Sequence, residues 1–269
     1  MNRIDAIFAE LRRGGRKALM PFVTAGDPSI AHTEAIVEAL PAAGASICEL
    51  GIPFSDPIAD GPVIQASMTH ALDHGFKVAS VFEMVARLRQ RKAADLLGVV
   101  AMVSVSIVQR VGGPAFVQRA KAAGFDGFIF PDLSLEESAP LRREAEDAGL
   151  TCSMLIAPST DDARAQRLAE ACTGFVYVVS RAGITGERGE LPAELPQRIA
   201  KLRNVTGLPI AVGFGVSGPD QVRQVVRVAD AAIVGSAVVR RIAEHRDADP
   251  ATVAGHVAAF TRELARGLA

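Results

Sequence analysis

The stretch Ser46-Ile-Cys-Glu-Leu-Gly-Ile-Pro-Phe-Ser-Asp-Pro-Ile-Ala-Asp-Gly-Pro62 runs from an apolar strand straight into a proline-stiffened loop. Successive side chains of a strand point to opposite faces, so Ile47, Glu49 and Gly51 share one face and Cys48, Leu50 and Ile52 the other. A strand that is apolar on both faces is covered on both, as in a parallel sheet flanked by helices. Glu49 then lies where an ionised carboxylate is costly unless paired. Pro53, Pro57 and Pro62 restrict the loop that carries Ser55, Asp56 and Asp60. Taken alone, a strand glutamate is more commonly an ion-paired or edge residue. Set opposite a loop carboxylate, it also fits acid–base chemistry.

Outward from this strand the same alternation recurs from end to end. Strand-like runs over 19–23, 46–52, 97–103, 127–130, 152–156, 174–179, 209–212 and 231–234 alternate with helical runs over 31–43, 78–91, 115–123, 136–148, 161–171, 194–202 and 220–228. Several helical runs close on glycine, at Gly44, Gly124 and Gly149. Several open after a hydroxyl residue, at Ser134, Thr160 and Ser217. Strict βα alternation implies a parallel sheet, and eight units imply its closure into an α/β fold of the (β/α)8 TIM-barrel type. A helix over 3–12 and a short helix after Pro62 fall outside the repeat, and a C-terminal helix over 251–268 follows it. With no linker or low-complexity segment, residues 1–269 read as a single barrel domain.

Composition narrows the function classes. The chain is 49% hydrophobic, and 29 Lys plus Arg against 30 Asp plus Glu give a net charge of −1. That leaves no broad basic field for nucleic acid or anionic lipid. The first residues lack the apolar run of a signal peptide, and the longest apolar stretch, 98–108, is too short to span a bilayer. Cys48, Cys152 and Cys172 are scattered without a CxxC, as buried small hydrophobes in a reducing compartment would be. A cytoplasmic location without nucleic-acid or membrane partners is expected.

A barrel turns positions into roles, because its active face is built from strand C-termini and the loops that follow them. Glu49 ends the second strand and Asp60 sits in the loop after it. Tyr177, the one tyrosine of the chain, shares a face of the sixth strand with Phe175 and Val179. If that face is interior, its hydroxyl reaches towards Glu49; otherwise it is a core aromatic with a backbone partner. Gly213-Phe-Gly215 and Gly235-Ser-Ala237 end the last two strands, where this architecture usually holds phosphate on backbone N–H groups and a helix N-terminus. The glycine-rich loop 180–192 reads as a lid.

These residues resemble the tryptophan synthase α-subunit family along nearly the full chain. The resemblance is carried by Pro21-Phe-Val-Thr-Ala-Gly-Asp-Pro28, the 49–62 stretch, Phe130-Pro-Asp-Leu133, the 180–186 stretch, Gly213-Phe-Gly215 and Gly235-Ser-Ala237. It implies a retro-aldol cleavage of indole-3-glycerol phosphate to indole and glyceraldehyde 3-phosphate. Glu49 is then the acid that protonates the indole C3 and later the base for the glycerol hydroxyl. Asp60 accepts the indole N–H, and Tyr177 orients Glu49. Phe22, Ile64 and Met102 line the indole site, Phe214 is a further substrate-binding residue, and Thr185 ties the closed lid to Asp60. Gly186, Gly215, Gly235 and Ser236 hold the phosphate. The resemblance also implies a β-subunit partner in an α2β2 tetramer, with no metal or cofactor in this chain, since pyridoxal phosphate belongs to the β subunit. Two places depart from the pattern: Ser104-Val-Ser-Ile107 stands where the family usually has Tyr-Tyr-Asn-Pro, and Ser134 stands where a proline is common. Both fall on the rim expected to face the partner.

Three other functions fit parts of this pattern. Another phosphate-binding barrel, such as a phosphosugar isomerase or an indole-glycerol-phosphate synthase, would share the glycine turns, but the latter would want a strand-end lysine, whereas Lys77, Lys92, Lys121 and Lys201 fall in helical runs or loops. A free-standing indole-releasing lyase would share the whole site. A mainly non-catalytic activator of a β partner would have no use for Glu49, Asp60 and Tyr177 together.

Overall fold

The computed structural model describes residues 1–57, 60–91, 97–180, 192–213 and 215–269. Among these residues are nine strand segments, all paired in parallel: β1 (Ala18–Thr24), β2 (Ile47–Gly51), β3 (Gly98–Met102), β4 (Gly127–Ile129), β5 (Thr151–Ser153), β6 (Leu155–Ile156), β7 (Val176–Val179), β8 (Ile210–Gly213) and β9 (Ala231–Val234). Their order is β5-β4-β3-β2-β1-β9-β8-β7-β6. The two ends of this sheet are consecutive pieces of one chain segment, so the sheet closes on itself as a barrel.

The run expected as one strand over 152–156 is therefore split. At Met154 the backbone N–H turns to the Cys172 sulfur, 3.2 Å away, instead of joining the ladder. The other seven strands fall where the alternation places them, within a few residues at either end. Burial follows the predicted faces. Ile47, Met20, Phe22, Val100, Tyr177 and Ile233 pack inside the barrel, while Cys48, Leu50, Leu19 and Val23 pack outward under the helices. All three cysteines are buried and free.

The N-terminal end of the barrel is closed by the helix Arg3–Arg13, whose buried face is Ile4, Phe8 and Leu11. Phe8 reaches the ring of Phe175 at 6.0 Å. Asn2 caps this helix through Ile4 N and donates to the carbonyls of Asp126 and Gly149, each at 2.8 Å. Two aspartates pin the strand starts at the same end. Asp126 accepts from Val99 N at 2.8 Å and from Arg89 at 2.6 Å; Asp230 accepts from Ile210 N at 2.8 Å and pairs with Arg203.

Helix boundaries show four differences. The run expected over 31–43 divides into the helix Ile30–Ala39 and a 3-10 turn, Pro41–Ala43, which Gly44 ends. The segment after Pro62 is a full helix, Pro62–Asp73. A helix, Val105–Val111, occupies the rim after β3, capped by Ser104. Expected hydroxyl caps are displaced: Asp161 rather than Thr160 caps Asp162–Ala171, Gly218 precedes Pro219–Val226, and Ser134 sits in a turn ahead of Ala139–Asp147. Thr160 is drawn instead to Ala157 N, at 3.1 Å. Gly44, Gly124 and Gly149 do end their helices with positive φ. Among the described residues no helix is long and apolar enough to cross a membrane.

Candidate active site

Glu49 projects into the barrel from β2, in register with Phe22 of β1 and Val100 of β3. It is 1% exposed, and its Oε2 has no hydrogen-bond partner among the described residues. Burial, and secondarily the nearby Asp60 charge, push its pKa up to about 8. Burial alone raises Asp60 less, to about 6. Asp60 is positioned by its backbone: its N–H donates to the Pro57 carbonyl at 3.0 Å, and the Gln65 side-chain amide donates to the Asp60 carbonyl at 2.7 Å. Gln65 lies in the first turn of Pro62–Asp73, so the start of that helix sets the loop. Two carboxyls whose environments separate their pKa values across neutrality can divide acid and anion roles.

Tyr177 is buried in β7, and burial, Glu49 and Asp60 together hold its hydroxyl well above the usual phenol range. That hydroxyl lies over Gly213, where an added Cβ would come within 2.6 Å of it. Phe22 lies over Gly51 in the same way, with its Cζ 2.3 Å from where a Cβ would stand. These two glycines are the residues that sequence reasoning missed. Gly213 reads as a turn glycine, yet its lack of a side chain seats the tyrosine.

Gly235 adjoins the same group: a Cβ there would lie 3.6 Å from Ile64 and 3.9 Å from Phe22. Packing of the chain itself does not demand glycine at that point. Gly215 has φ +81°, a left-handed conformation that favours glycine. Ser236 opens the helix Ser236–Glu244, whose first backbone bonds run from Val238 and Val239 to Gly235 O. The amides of Ser236 and Ala237 stand ahead of those bonds, at the positive end of the helix. Met102 ends β3 and, with Asp60, borders a cavity beside the mouth. The structure thus gathers Glu49, Asp60, Tyr177, Phe22, Ile64, Gly235 and Met102 between mid-strand and the C-terminal mouth of the barrel; Glu49 is the central residue of β2 rather than its end. Thr185, Gly186 and Phe214 lie outside the described residues, as does the lid apart from its ends.

The family model described as "Tryptophan synthase alpha chain" matches residues 8–268. The chain is 47% identical over 244 residues to the tryptophan synthase alpha chain of Rhodopirellula baltica, covering 91% of this chain and 88% of the relative. The chain belongs to the tryptophan synthase alpha chain family. The Chloroflexus aurantiacus alpha chain is 44% identical across all of this chain and 99% of its own length. Among solved structures, Mycobacterium tuberculosis tryptophan synthase superposes with a TM-score of 0.89 at 32% identity, covering 99% of this chain and 98% of that one. The alpha subunit from Legionella pneumophila gives 0.89 at 33% identity, over 100% and 98%. Membership fixes the reaction as the lyase half of tryptophan synthesis, cleavage of indole-3-glycerol phosphate to indole and glyceraldehyde 3-phosphate, and fixes a tryptophan synthase β subunit as the partner.

Proposed function

We propose that Glu49 is the proton donor of this cleavage and Asp60 the anion that steadies the ring. The observation carrying this reading is a glutamate 1% exposed inside the barrel, its Oε2 without a partner among the described residues, near a less buried loop aspartate; burial pushes the first up to about 8 and the second to about 6. At neutral pH Glu49 carries a proton and Asp60 a charge. Glu49 gives its proton to the indole C3, and positive charge develops towards the ring nitrogen. Asp60 accepts the N–H hydrogen bond and stabilises that charge. The bond from C3 to the side chain then breaks, its electron pair restoring the aromatic ring. The hydroxyl on the departing carbon becomes the aldehyde of glyceraldehyde 3-phosphate, and the Glu49 carboxylate takes the hydroxyl proton. Each step uses groups of this chain.

Tyr177, neutral and seated over Gly213, orients Glu49. Phe22, Ile64 and Met102 pack against the ring, Phe214 also contacts the substrate, and Thr185 closes the lid onto Asp60. Gly186, Gly215, Gly235 and Ser236 cradle the phosphate. We place the chain in the cytoplasm, as the α component of an α2β2 tetramer.

The test follows indole release from indole-3-glycerol phosphate and from its dephosphorylated form. The phosphorylated compound should turn over, and the dephosphorylated one should bind poorly. Asp60→Asn should cripple turnover while leaving binding of the phosphorylated substrate largely intact. Equal binding of both compounds would remove the anion site, and a fully active Asp60→Asn chain would remove Asp60 from the chemistry.

A further inference from the structure

A cavity of about 230 Å³ opens beside Asp60, on the side towards the helix Val105–Val111. Asp60 and Met102 border it, whereas Glu49, Phe22 and Tyr177 are not among its described lining residues. Its floor is apolar, with Ile52 and Met68 beneath, and its rim carries Asp56, Asp132 and Ser106. The described lining includes three carboxylates and no lysine or arginine. Both oxygens of Asp132 are engaged, by Ser104 Oγ at 2.6 Å and Val105 N at 2.9 Å, which fixes that wall.

Ring connectivity orients the indole against this cavity, given the placement proposed above with N–H on Asp60 and C3 at Glu49. In indole, C7 flanks the nitrogen side and C4 flanks C3. The C7 edge therefore faces the cavity, and the C4 edge faces the packed barrel interior around Glu49. We infer that the cavity is a ring-edge subsite that admits a small uncharged substituent at C7 of the substrate's indole and rejects an anionic one. An apolar floor accepts a methyl or halogen without leaving a polar group unpaired, whereas a carboxylate would meet three like charges with no cation to offset them.

The experiment compares kcat/KM of the full chain for indole-3-glycerol phosphate and its 7-methyl, 4-methyl and 7-carboxy derivatives. The 7-methyl compound should stay within roughly tenfold of the parent substrate, and the 4-methyl and 7-carboxy compounds should lose more than roughly tenfold. In the chain assayed without its β subunit, Ser106→Phe, at an exposed rim position, should cut the 7-methyl substrate selectively and leave the unsubstituted one unchanged. Equal rejection of the 7-methyl and 4-methyl isomers would overturn the subsite, and that comparison needs no variant. So would a Ser106→Phe chain that slows both substrates alike. Failure to cleave the unsubstituted compound is a separate outcome: it would overturn the proposed roles, and the subsite with them.

Discussion

Between about 6 and about 8 the site holds Asp60 charged and Glu49 neutral. The two carboxyls interact, so their titrations belong to the pair. Below the lower value Asp60 gains a proton and loses the charge that steadies the ring. Above the upper value Glu49 loses the proton it must donate. The kcat/KM profile should therefore be a bell with limbs near 6 and 8, and a flat profile across that range would disconnect the pair from the chemistry. The same shift has a stability consequence. Glu49 sits above its ordinary value of 4.5 in the folded chain. From there to about 8 the folded chain retains a proton that the unfolded chain releases. Stability accordingly falls as pH rises through that window, by about 1.4 kcal/mol per unit. Denaturant titration of Glu49→Gln should show a gain over the parent at about pH 8 and little difference at about pH 4. Gly213→Ala tests the tyrosine: its Cβ would displace the Tyr177 hydroxyl and should lower kcat by about 10²-fold. In a Tyr177→Phe background the same change should cost much less, and additive losses would mean that Gly213 acts elsewhere.

At the scale of elements, the two ends of the barrel do different work. Asp126 holds the start of β3 through Val99 N and ties it to Arg89 and Arg3 at the end remote from the site. Asp126→Ala should destabilise the fold by roughly 3–5 kcal/mol, the cost of breaking a buried charge pair, with kcat unchanged where the chain is folded. A fall in kcat without a loss of stability would mean that the two ends are coupled. Strand positions were legible in the sequence because period-two alternation is local, and Glu49 stood out as a carboxyl within such a strand. The break at Met154 was not legible, since it depends on the Cys172 thiol brought in from the end of another helix. Nor were Gly51 and Gly213, because the need for glycine comes from Phe22 and Tyr177 rings on neighbouring strands. The capping signals failed by one to several residues, because Thr160 and Ser134 are also good turn formers and bond within their own loops.

At the scale of the whole molecule, a helix seals one end of the barrel while the chemistry is gathered at the other. Burial inside the barrel is what holds Glu49 towards its protonated form, so the fold as a whole sets the acid. Docking of the β subunit against the second loop, at Pro53 and Asp56, and against the rim after β3 should favour the closed site. Adding that subunit should raise glyceraldehyde 3-phosphate release tenfold or more, about 1.4 kcal/mol in barrier terms. An isolated chain that is already fast and gains nothing would be a free-standing lyase. The claim on which the rest depends is that Glu49 supplies the proton, and Glu49→Gln tests it by keeping the volume and removing the acid. Single-turnover indole release by this variant should fall by ~10²–10⁴-fold with substrate affinity essentially unchanged; release at the parent rate would contradict a role for Glu49 in the chemistry.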